Sequence, residues 1–597
     1  MQEKKISFGK IFWPSLCAAI IVAIIGILIW VAIIGGLISS FDKESGLSIK
    51  DRTVLHITLN GKIGEKGSSS FNPSTFKMDN TLSLASILHG LKEGMEDDKI
   101  KGLFIELSDV SCGFATATEL RNAINAFEES GKFAVAYNSG EVINQLEYYI
   151  ASAANQNYGF PGSSFGFLGL GAELSFFKNT FDKLDVEVQI IRGSDNDFKS
   201  AVEPFFREKM SDSSRIQIDR YMTSLWLDYR TAIAKDRETT IEELDLIANN
   251  VLIQRVTDAV KYKLIDKAMY RDEVVALIAK KTGVKGDNEL NLQPFGKYAK
   301  KRFYQNQVLT KANNPNVAVI IAEGGVSKSG DGLTSDEICK IFKEVREDES
   351  IKTVVFRINS PGGSALASDE IWREVKLTNE KKKVIVSMGD VAASGGYYVA
   401  APASMIFAEA TTITGSIGVF GMIPYTGKML ENKLGVTFDR VSTNDHSVMT
   451  TNRKLTEEEL KLIQVGVDDI YDRFKTIVAE GRGMTKEQVN VIARGRVWTG
   501  RDAKKIGLVD ELGGLNDAIN FAAKKASIKN KKVLYYPNVK EDKLAEFIEQ
   551  IEEQENLGAN VSSIKLPTSL IEYYNQLKRL ECIQGIQMRL PYEINIK

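Results

Sequence analysis

The segment Val384–Ala403 reads VIVSMGDVAASGGYYVAAPA. It begins with an apolar, β-branched run typical of a buried strand, passes through small residues, and continues in a helical pattern that starts at Ser394. A hydroxyl at the start of a helix lies near free backbone N–H groups, which stabilise developing negative charge. Gly395 and Gly396 carry no side chain, so a substrate can approach closely. The segment therefore predicts a strand–turn–helix unit with a candidate nucleophile at the turn.

A second glycine turn lies upstream in the same half of the chain. Asn359–Ser364 reads NSPGGS and follows the predicted strand Val354–Ile358. Its glycine amides are candidates for a second hydrogen-bond donor to an oxyanion. Glycines also make ordinary tight turns, and that interpretation stays open for either segment taken alone. Two such turns, each after a strand of one domain, favour a functional site.

A nucleophilic serine also needs a base. His446, within the polar segment STNDHS, is the histidine available in the second half, although a histidine in a polar loop is usually solvated. A lysine serves instead when burial lowers its pKa enough to leave it neutral near the working pH. The residue pattern alone does not select which lysine.

The two halves of the chain resemble each other at an offset close to 250 residues, for example 251 between Asp97 and Asp348. Insertions in loops explain why the offset varies by a few residues along the chain. The clearest matches are DDKIKGLFIEL (97–107) with DESIKTVVFRI (348–358), EYYIASAA (147–154) with GYYVAAPA (396–403), and TDAVKYKLID (257–266) with RDAKKIGLVD (501–510). An internal duplication follows from these pairs.

Each half alternates short β-rich runs with helical patterns, which predicts an α/β fold of βαβ units around largely parallel sheets. Long polar segments at 212–243 and 455–480 predict helices that cover these sheets, and the polar segment 288–316 predicts a link between the halves. We expect one repeat domain at 47–300, a second at 301–540, and a helical extension at 541–597. The predicted strands are Val54–Leu59, Leu103–Leu107, Phe133–Ala136, Val317–Ala322, Val354–Ile358 and Val384–Val386.

Composition argues against several classes of function. The chain has 597 residues with 76 Lys+Arg and 78 Asp+Glu, so it lacks the basic surplus typical of a nucleic-acid partner. Its four cysteines and three histidines are scattered, without CxxC or zinc-ligand spacing. The phosphate-binding pattern GxxxxGK[ST] is also missing from the sequence. We therefore expect no metal, no cofactor and no nucleic acid.

The N-terminal region carries a long apolar run. Ile11–Ile38 holds no charged residue, and Leu16–Ile38 at about 1.5 Å per residue would span a hydrocarbon core of roughly 30 Å. A cleaved signal peptide has a shorter apolar region and ends in A-x-A-like residues, whereas this run ends GGLISS. The lysines within residues 1–10 favour a cytoplasmic tail. The sequence thus predicts an uncleaved anchor at 11–38.

Four motifs occur in order along the chain: FKSAVEPF (198–205), NSPGGS (359–364), GDVAASGGYY (389–398) and TGSIGVFG (414–421). Together with the apolar N-terminal run and the duplication, they resemble the signal peptide peptidase A (protease IV) family in its long, duplicated bacterial form. The resemblance covers nearly the whole chain.

This resemblance implies a fold and a set of site residues. The family comprises serine proteases with the Clp protease/crotonase-like fold and a Ser/Lys dyad. Its nucleophile corresponds to Ser394 and its general base to Lys199. Ser416 corresponds to the residue that orients the lysine, and the amides of Gly363 and Gly395 correspond to the oxyanion hole.

The repeat alignment shows that each half retains one member of the dyad. Gln145 stands opposite Ser394, and Met449 or a near neighbour stands opposite Lys199. The first half also has Ser111–Cys112 in place of the two glycines of the NSPGGS turn. This complementary loss predicts one composite site per chain rather than two independent sites.

The resemblance further implies that the substrates are cleaved signal peptides and other hydrophobic peptides. It implies a homo-oligomer, a tetramer in the long form, held in the cell inner membrane by one span with its catalytic part on the periplasmic side. Two other interpretations stay open: a crotonase-like acyl-CoA enzyme, and a membrane-anchored scaffold without catalysis. The sequence does not decide whether the dyad forms within one chain or between neighbouring chains.

Overall fold

The computed structural model describes residues 49–72, 77–284, 286, 289–537 and 586–589. The predicted cytoplasmic tail and membrane anchor lie outside these residues, as does most of the predicted C-terminal extension. Within the described part of the chain, no helix has the length and apolar character needed to cross a membrane. The chain divides into two compact units, and the larger comprises residues 51–68, 81–540 and 564–597.

Strands and helices alternate through the first half. The strands are β1 (Thr53–Lys62), β2 (Ser68–Asn72), β3 (Lys77–Thr81), β4 (Ile100–Ser111), β5 (Phe133–Asn138), β6 (Val142–Ile143), β7 (Gln156–Gly159), β8 (Ser164–Phe165), β9 (Glu187–Arg192), β10 (Lys267–Ala268) and β11 (Leu292–Pro294). The helices are α1 (Leu84–Glu96), α2 (Phe114–Glu129), α3 (Gln145–Ala151), α4 (Lys178–Lys183), α5 (Glu203–Phe206), α6 (Asp212–Asp236), α7 (Ile241–Asn249), α8 (Val256–Lys261), α9 (Arg271–Thr282) and α10 (Phe295–Ala312).

The second half repeats this alternation. Its strands are β12 (Val317–Glu323), β13 (Val326–Ser327), β14 (Leu333–Thr334), β15 (Thr353–Ser360), β16 (Gly362–Ser364), β17 (Val384–Ala393), β18 (Met405–Ala408), β19 (Ile413–Gly415), β20 (Phe420–Tyr425), β21 (Val497–Thr499), β22 (Glu511–Leu512), β23 (Val533–Tyr536) and β24 (Ile586–Arg589). Its helices are α11 (Ser335–Glu347), α12 (Ala365–Lys381), α13 (Gly395–Ala400), α14 (Gly427–Leu434), α15 (Glu457–Arg482), α16 (Lys486–Ile492), α17 (Gly500–Lys505) and α18 (Leu515–Lys525).

The two main sheets correspond strand for strand. The first has the order β10-β7-β5-β4-β1-β11, and all of its pairings are parallel. The second contains the equivalent parallel series β22-β18-β17-β15-β12-β23, with β19 and β21 added beside the end of β17. This correspondence confirms the predicted α/β class and the internal duplication.

Local sequence explains these elements. β15 reads TVVFRINS and is buried along almost its whole length, as expected for a parallel strand covered on both faces. α11 places its buried residues on one face of the helix, at Ile338, Ile341, Phe342 and Val345. Its other face is polar, so the helix packs as a cover for the sheet.

A third sheet joins segments of both halves in the order β14-β13-β16-β24-β20-β9. β9 comes from the first half and pairs antiparallel with β20 of the second half, with Arg192 opposite Phe420. The residues after β9 therefore run beside the residues before β20, and this brings the two halves together around the candidate site.

Two sequence-based predictions are wrong in part. Most of the segment 288–316, predicted as a polar link, forms helix α10, which buries Phe295, Tyr298 and Phe303 on one side. The lysines of this helix lie on its other faces. Because they alternate in sequence with the apolar residues, the segment was interpreted as polar. In the predicted helical extension at 541–597, the described residues Ile586–Arg589 form strand β24 instead of a helix.

Candidate active site

Ser394 occupies a sharp turn between β17 and α13. Its φ of 56° and ψ of −115° lie outside the regions favoured by L-residues, a strain that typically costs about 1–3 kcal/mol. The Ser394 amide donates to the Gly415 carbonyl over 2.8 Å, and the Ser394 carbonyl accepts from the Tyr398 amide over 2.9 Å. These backbone bonds hold the serine in a conformation that an unsupported chain rarely adopts.

Lys199 reaches this serine from the first half. The lysine follows β9, and the Gly193 amide donates to the Val419 carbonyl over 3.1 Å, which continues the β9–β20 pairing towards the site. Lys199 Nζ lies 2.8 Å from Ser394 Oγ. The lysine is completely buried, and burial lowers its pKa well below the usual range.

The acidic residues near Lys199 in sequence face elsewhere. If Lys199 is the base that the family resemblance implies, Asp195 and Asp197 are expected to point away from it, because nearby carboxylates would raise the pKa of the lysine. Both are exposed, and Asp197 forms an ion pair with Arg494. This prediction is confirmed.

Ser416 provides two contacts to the lysine. Its carbonyl oxygen and its Oγ each lie 2.9 Å from Lys199 Nζ. β19 runs parallel to β17 with Gly415 opposite Ala393, so Ser416 and Ser394 leave adjacent strand ends side by side. The structure therefore brings together Ser394, Lys199 and Ser416, which the sequence had placed in three separate motifs.

The NSPGGS turn lies against the start of α13. A Cβ atom added to Gly395 would stand 3.1 Å from the Gly363 amide nitrogen and 2.7 Å from Ser368 Oγ. Gly362 has a φ of +92°, and Ser360 Oγ accepts its amide over 3.2 Å. The turn thus carries the Gly363 amide close to Gly395, and both candidate oxyanion donors border one small space.

Sequence reasoning missed two residues that hold Lys199. Gly495, with a φ of +77°, approaches so closely that a Cβ there would lie 2.5 Å from the Lys199 backbone nitrogen. Asn196 is buried; its side-chain amide donates to the Val419 carbonyl over 3.0 Å, and its backbone carbonyl accepts from the Lys199 backbone amide over 3.1 Å. The sequence signal for Gly495 was its glycine within ARGRVWTG (493–500), but this stretch resembles an ordinary turn.

Among the described residues of the first half, the position that matches Ser394 is not a serine. Gln145 begins α3 at the position that matches Ser394, and its side chain bonds the backbone of Leu168 and Gly169 over 2.7–3.0 Å. Met449, which with its near neighbours stands opposite Lys199 in the repeat alignment, is 42% exposed. His446, the alternative base, pairs with Glu459 at 3.5 Å.

The sequence of this chain is similar to those of known proteases. The model of peptidase family S49 matches residues 126–285 and 376–529, the first containing Lys199 and the second Ser394. "Serine protease SPPA, chloroplastic" from Arabidopsis thaliana is 34% identical over 503 residues, 81% of this chain and 71% of that protein. "Protease 4" from Salmonella typhi is 32% identical over 536 residues, 87% of this chain and 84% of that protein. "Putative signal peptide peptidase SppA" from Enterococcus faecium is 34% identical over 254 residues, 40% of this chain and 73% of that protein.

The duplicated α/β fold and these relatives define a serine peptidase. The chain belongs to peptidase family S49. Of the interpretations that the sequence left open, the comparisons favour the serine peptidase over the crotonase-like acyl-CoA enzyme and the scaffold.

Proposed function

We propose that this chain is a membrane-anchored serine endopeptidase that cleaves signal peptides and other hydrophobic peptides with a Ser394–Lys199 dyad. The observation that carries the proposal is the contact of 2.8 Å between Ser394 Oγ and the buried amine of Lys199. Both residues belong to the same chain, so the dyad needs no contribution from a neighbouring subunit.

The contacts of the lysine fit a general base. A neutral amine has two N–H donors and one lone pair. The two donors satisfy the carbonyl and the Oγ of Ser416, each at 2.9 Å. The lone pair is then directed at the hydroxyl proton of Ser394. Burial favours this neutral form because it penalises the ammonium ion.

The mechanism follows from these positions. Lys199 takes the Ser394 proton as Oγ attacks the peptide carbonyl carbon, and the amides of Gly363 and Gly395 stabilise the oxyanion. The protonated lysine then gives its proton to the leaving amine. Water attacks the acyl-enzyme with Lys199 again as base, which frees the carboxylate and restores the serine.

The substrate class rests on relatives and sequence. One relative is named a putative signal peptide peptidase, and two are named as proteases. The predicted anchor at 11–38 would hold the enzyme where hydrophobic peptides remain after membrane insertion. By the same family resemblance we propose a tetramer with its catalytic part on the periplasmic side of the inner membrane.

The test is hydrolysis of a hydrophobic fluorogenic peptide by the full-length protein in detergent. Lys199→Ala and Ser394→Ala are each expected to lower kcat/KM by at least ~10³-fold. Lys183→Ala and Ser404→Ala are matched controls, since both residues are exposed, and should keep parental activity. Near-parental activity of Lys199→Ala would contradict the role of Lys199 as the base. A parent protein that assembles but does not hydrolyse the peptide would contradict the proposed activity.

A further inference from the structure

The side chain of Gln217 lies buried between the segment that carries Lys199 and strand β21. Gln217 projects from helix α6 and is only 3% exposed. Its Nε2 donates to the Phe198 carbonyl over 3.1 Å and to Ser200 Oγ over 3.2 Å. Its Oε1 accepts from the Val497 amide over 3.1 Å. One side chain therefore joins both sequence neighbours of the lysine to β21.

The partners of the Gln217 amide fix its orientation. The Val497 N–H only donates and the Phe198 carbonyl only accepts, so Oε1 faces the strand and Nε2 faces the lysine segment. The Phe198 carbonyl also accepts from the Ser200 amide over 2.9 Å, which closes the turn around the lysine. Loss of the Gln217 side chain would leave a buried donor and a buried acceptor with one partner fewer.

Strand β21 also holds the residue that contacts the lysine amine. β21 pairs antiparallel with β19, and the Arg496 carbonyl just before it accepts from the Ser416 amide over 2.7 Å. Ser416 supplies two of the contacts of Lys199 Nζ. Gln217 thus connects the backbone on either side of the lysine to the strand that places the hydrogen-bond partner of its amine.

Helix α6 is attached to the second half by contacts that do not involve Gln217. Ser224 Oγ lies 3.2 Å from Thr499 Oγ1, and Arg220 forms an ion pair of 3.2 Å with Asp502. These contacts remain when Gln217 is replaced. The helix should therefore keep its place, and the effect of a substitution should fall on the segment that carries the lysine.

We propose that Gln217 is a positioning residue that holds the amine of Lys199 in place for proton transfer from Ser394. The inference rests on the proposed function, in which Lys199 is the base. The hydrogen bonds of Gln217 go to residues on either side of the lysine rather than to its amine, so Gln217 acts through the backbone. Its loss should therefore slow the chemical step more than it weakens substrate binding.

Gln217→Met tests this inference, because methionine has a similar length and forms none of the three hydrogen bonds. The assay is hydrolysis of a hydrophobic fluorogenic peptide by the full-length protein in detergent. We expect kcat to fall by roughly 10–100-fold with KM nearly unchanged, since a misplaced catalytic group costs up to about 10². A looser segment also admits water to the Lys199 amine, whose pKa is lowered by burial, so the rise of activity should move to higher pH.

Gln307 offers a matched control at the opposite end of the same sheet. It is 5% exposed on helix α10, where its Nε2 donates to the Val533 carbonyl over 3.2 Å and its Oε1 accepts from the Tyr535 amide over 2.8 Å. These bonds hold β23, whereas those of Gln217 hold β21. Gln307→Met should lower Tm much as Gln217→Met does, but it should keep the parental kcat and pH profile.

Ser200→Ala is a milder variant that decides the question if Gln217→Met does not fold. It removes one of the three hydrogen bonds of Gln217 and keeps the other two. We expect kcat to fall by up to about tenfold, as for the loss of one hydrogen bond, with the pH profile shifted in the same direction. An unchanged kcat and pH profile would overturn the inference.

The outcomes separate this inference from the proposed function. Equal losses of kcat in Gln217→Met and Gln307→Met would indicate a general effect of packing and would overturn the inference. A Gln217→Met protein with parental kcat and pH profile, or with a change in KM alone, would also overturn it. In each of these cases the parent hydrolyses the peptide, so the proposed function stands. A parent that is inert on the peptide overturns both proposals.

Discussion

Lys199 Nζ and Ser394 Oγ lie 2.8 Å apart although 195 positions separate the two residues in the chain. The β9–β20 pairing produces this contact, because it lays the segment after Arg192 beside the segment before Phe420. Each repeat thus supplies one of the two side chains in this contact.

The lowered pKa of Lys199 predicts the pH dependence of activity. Only the neutral amine accepts the serine proton, so kcat/KM should rise with pH through the lowered pKa and then level off. Burial places that pKa below the ordinary lysine value of about 10.4. Peptide hydrolysis measured between pH 5 and pH 11 checks this, and a rise that continues above about pH 10 would contradict it.

Ser416→Ala should impair the lysine without removing it. The variant loses one of two acceptors at 2.9 Å but keeps the carbonyl contact, so the amine is held less firmly. We expect kcat to fall by roughly 10–100-fold with little change in KM, since a misplaced catalytic group costs up to about 10². The pH–rate profile should also shift. A change in KM alone would assign Ser416 to substrate binding.

Lys199→Met should stabilise the protein while it abolishes activity. Burial lowers the pKa of Lys199 in the folded state, whereas the unfolded chain binds a proton at every pH below about 10.4. Burial therefore costs stability at neutral pH, and this cost disappears as the pH rises past the unfolded value. Thermal unfolding should show a higher Tm for the variant at pH 7, with a smaller difference at higher pH.

Lys183→Met, an exposed control, should leave Tm unchanged. A lower Tm for Lys199→Met at pH 7 would mean that the contacts of the amine outweigh its desolvation. The comparison therefore shows whether the hydrogen bonds of the amine or the cost of its desolvation has the larger effect on stability.

The sequence predicted the α/β repeats because continuous buried strands and amphipathic helices are local signals, as in β15 and α11. It located Ser394 and Lys199 through motif resemblance. The pairing of β9 with β20 was not predicted, because the register between strands far apart in the chain leaves no local pattern. Gly495 was missed for the same reason, since its closeness to Lys199 exists only after folding.

Glu409→Gln should change how stability depends on pH. Burial, and then repulsion from Glu119, raise the pKa of Glu409 from 4.5 to about 8. Between these values the folded state keeps a proton that the unfolded chain has lost, so stability falls as the pH rises through this range. The variant should lose less Tm between pH 5 and pH 9 than the parent. Glu242→Gln, at an exposed position, should reproduce the parental decline.

Gly495→Ala tests whether close packing positions the lysine. A Cβ at Gly495 would lie 2.5 Å from both the backbone nitrogen and the Cβ of Lys199, so the lysine backbone must move. A displacement near 1 Å costs about 10² in rate when it affects a catalytic group, and kcat should fall by that order with the fold retained.

Gly483→Ala is the matched control for this substitution. Gly483 also has a positive φ, +63°, but a Cβ there would meet nothing within 4 Å. The control therefore carries backbone strain of roughly 1 kcal/mol without a clash. It should lower Tm slightly and leave kcat unchanged. If both variants lost activity equally, strain rather than displacement of Lys199 would explain the effect, and Gly495 would have no special role in placing the amine.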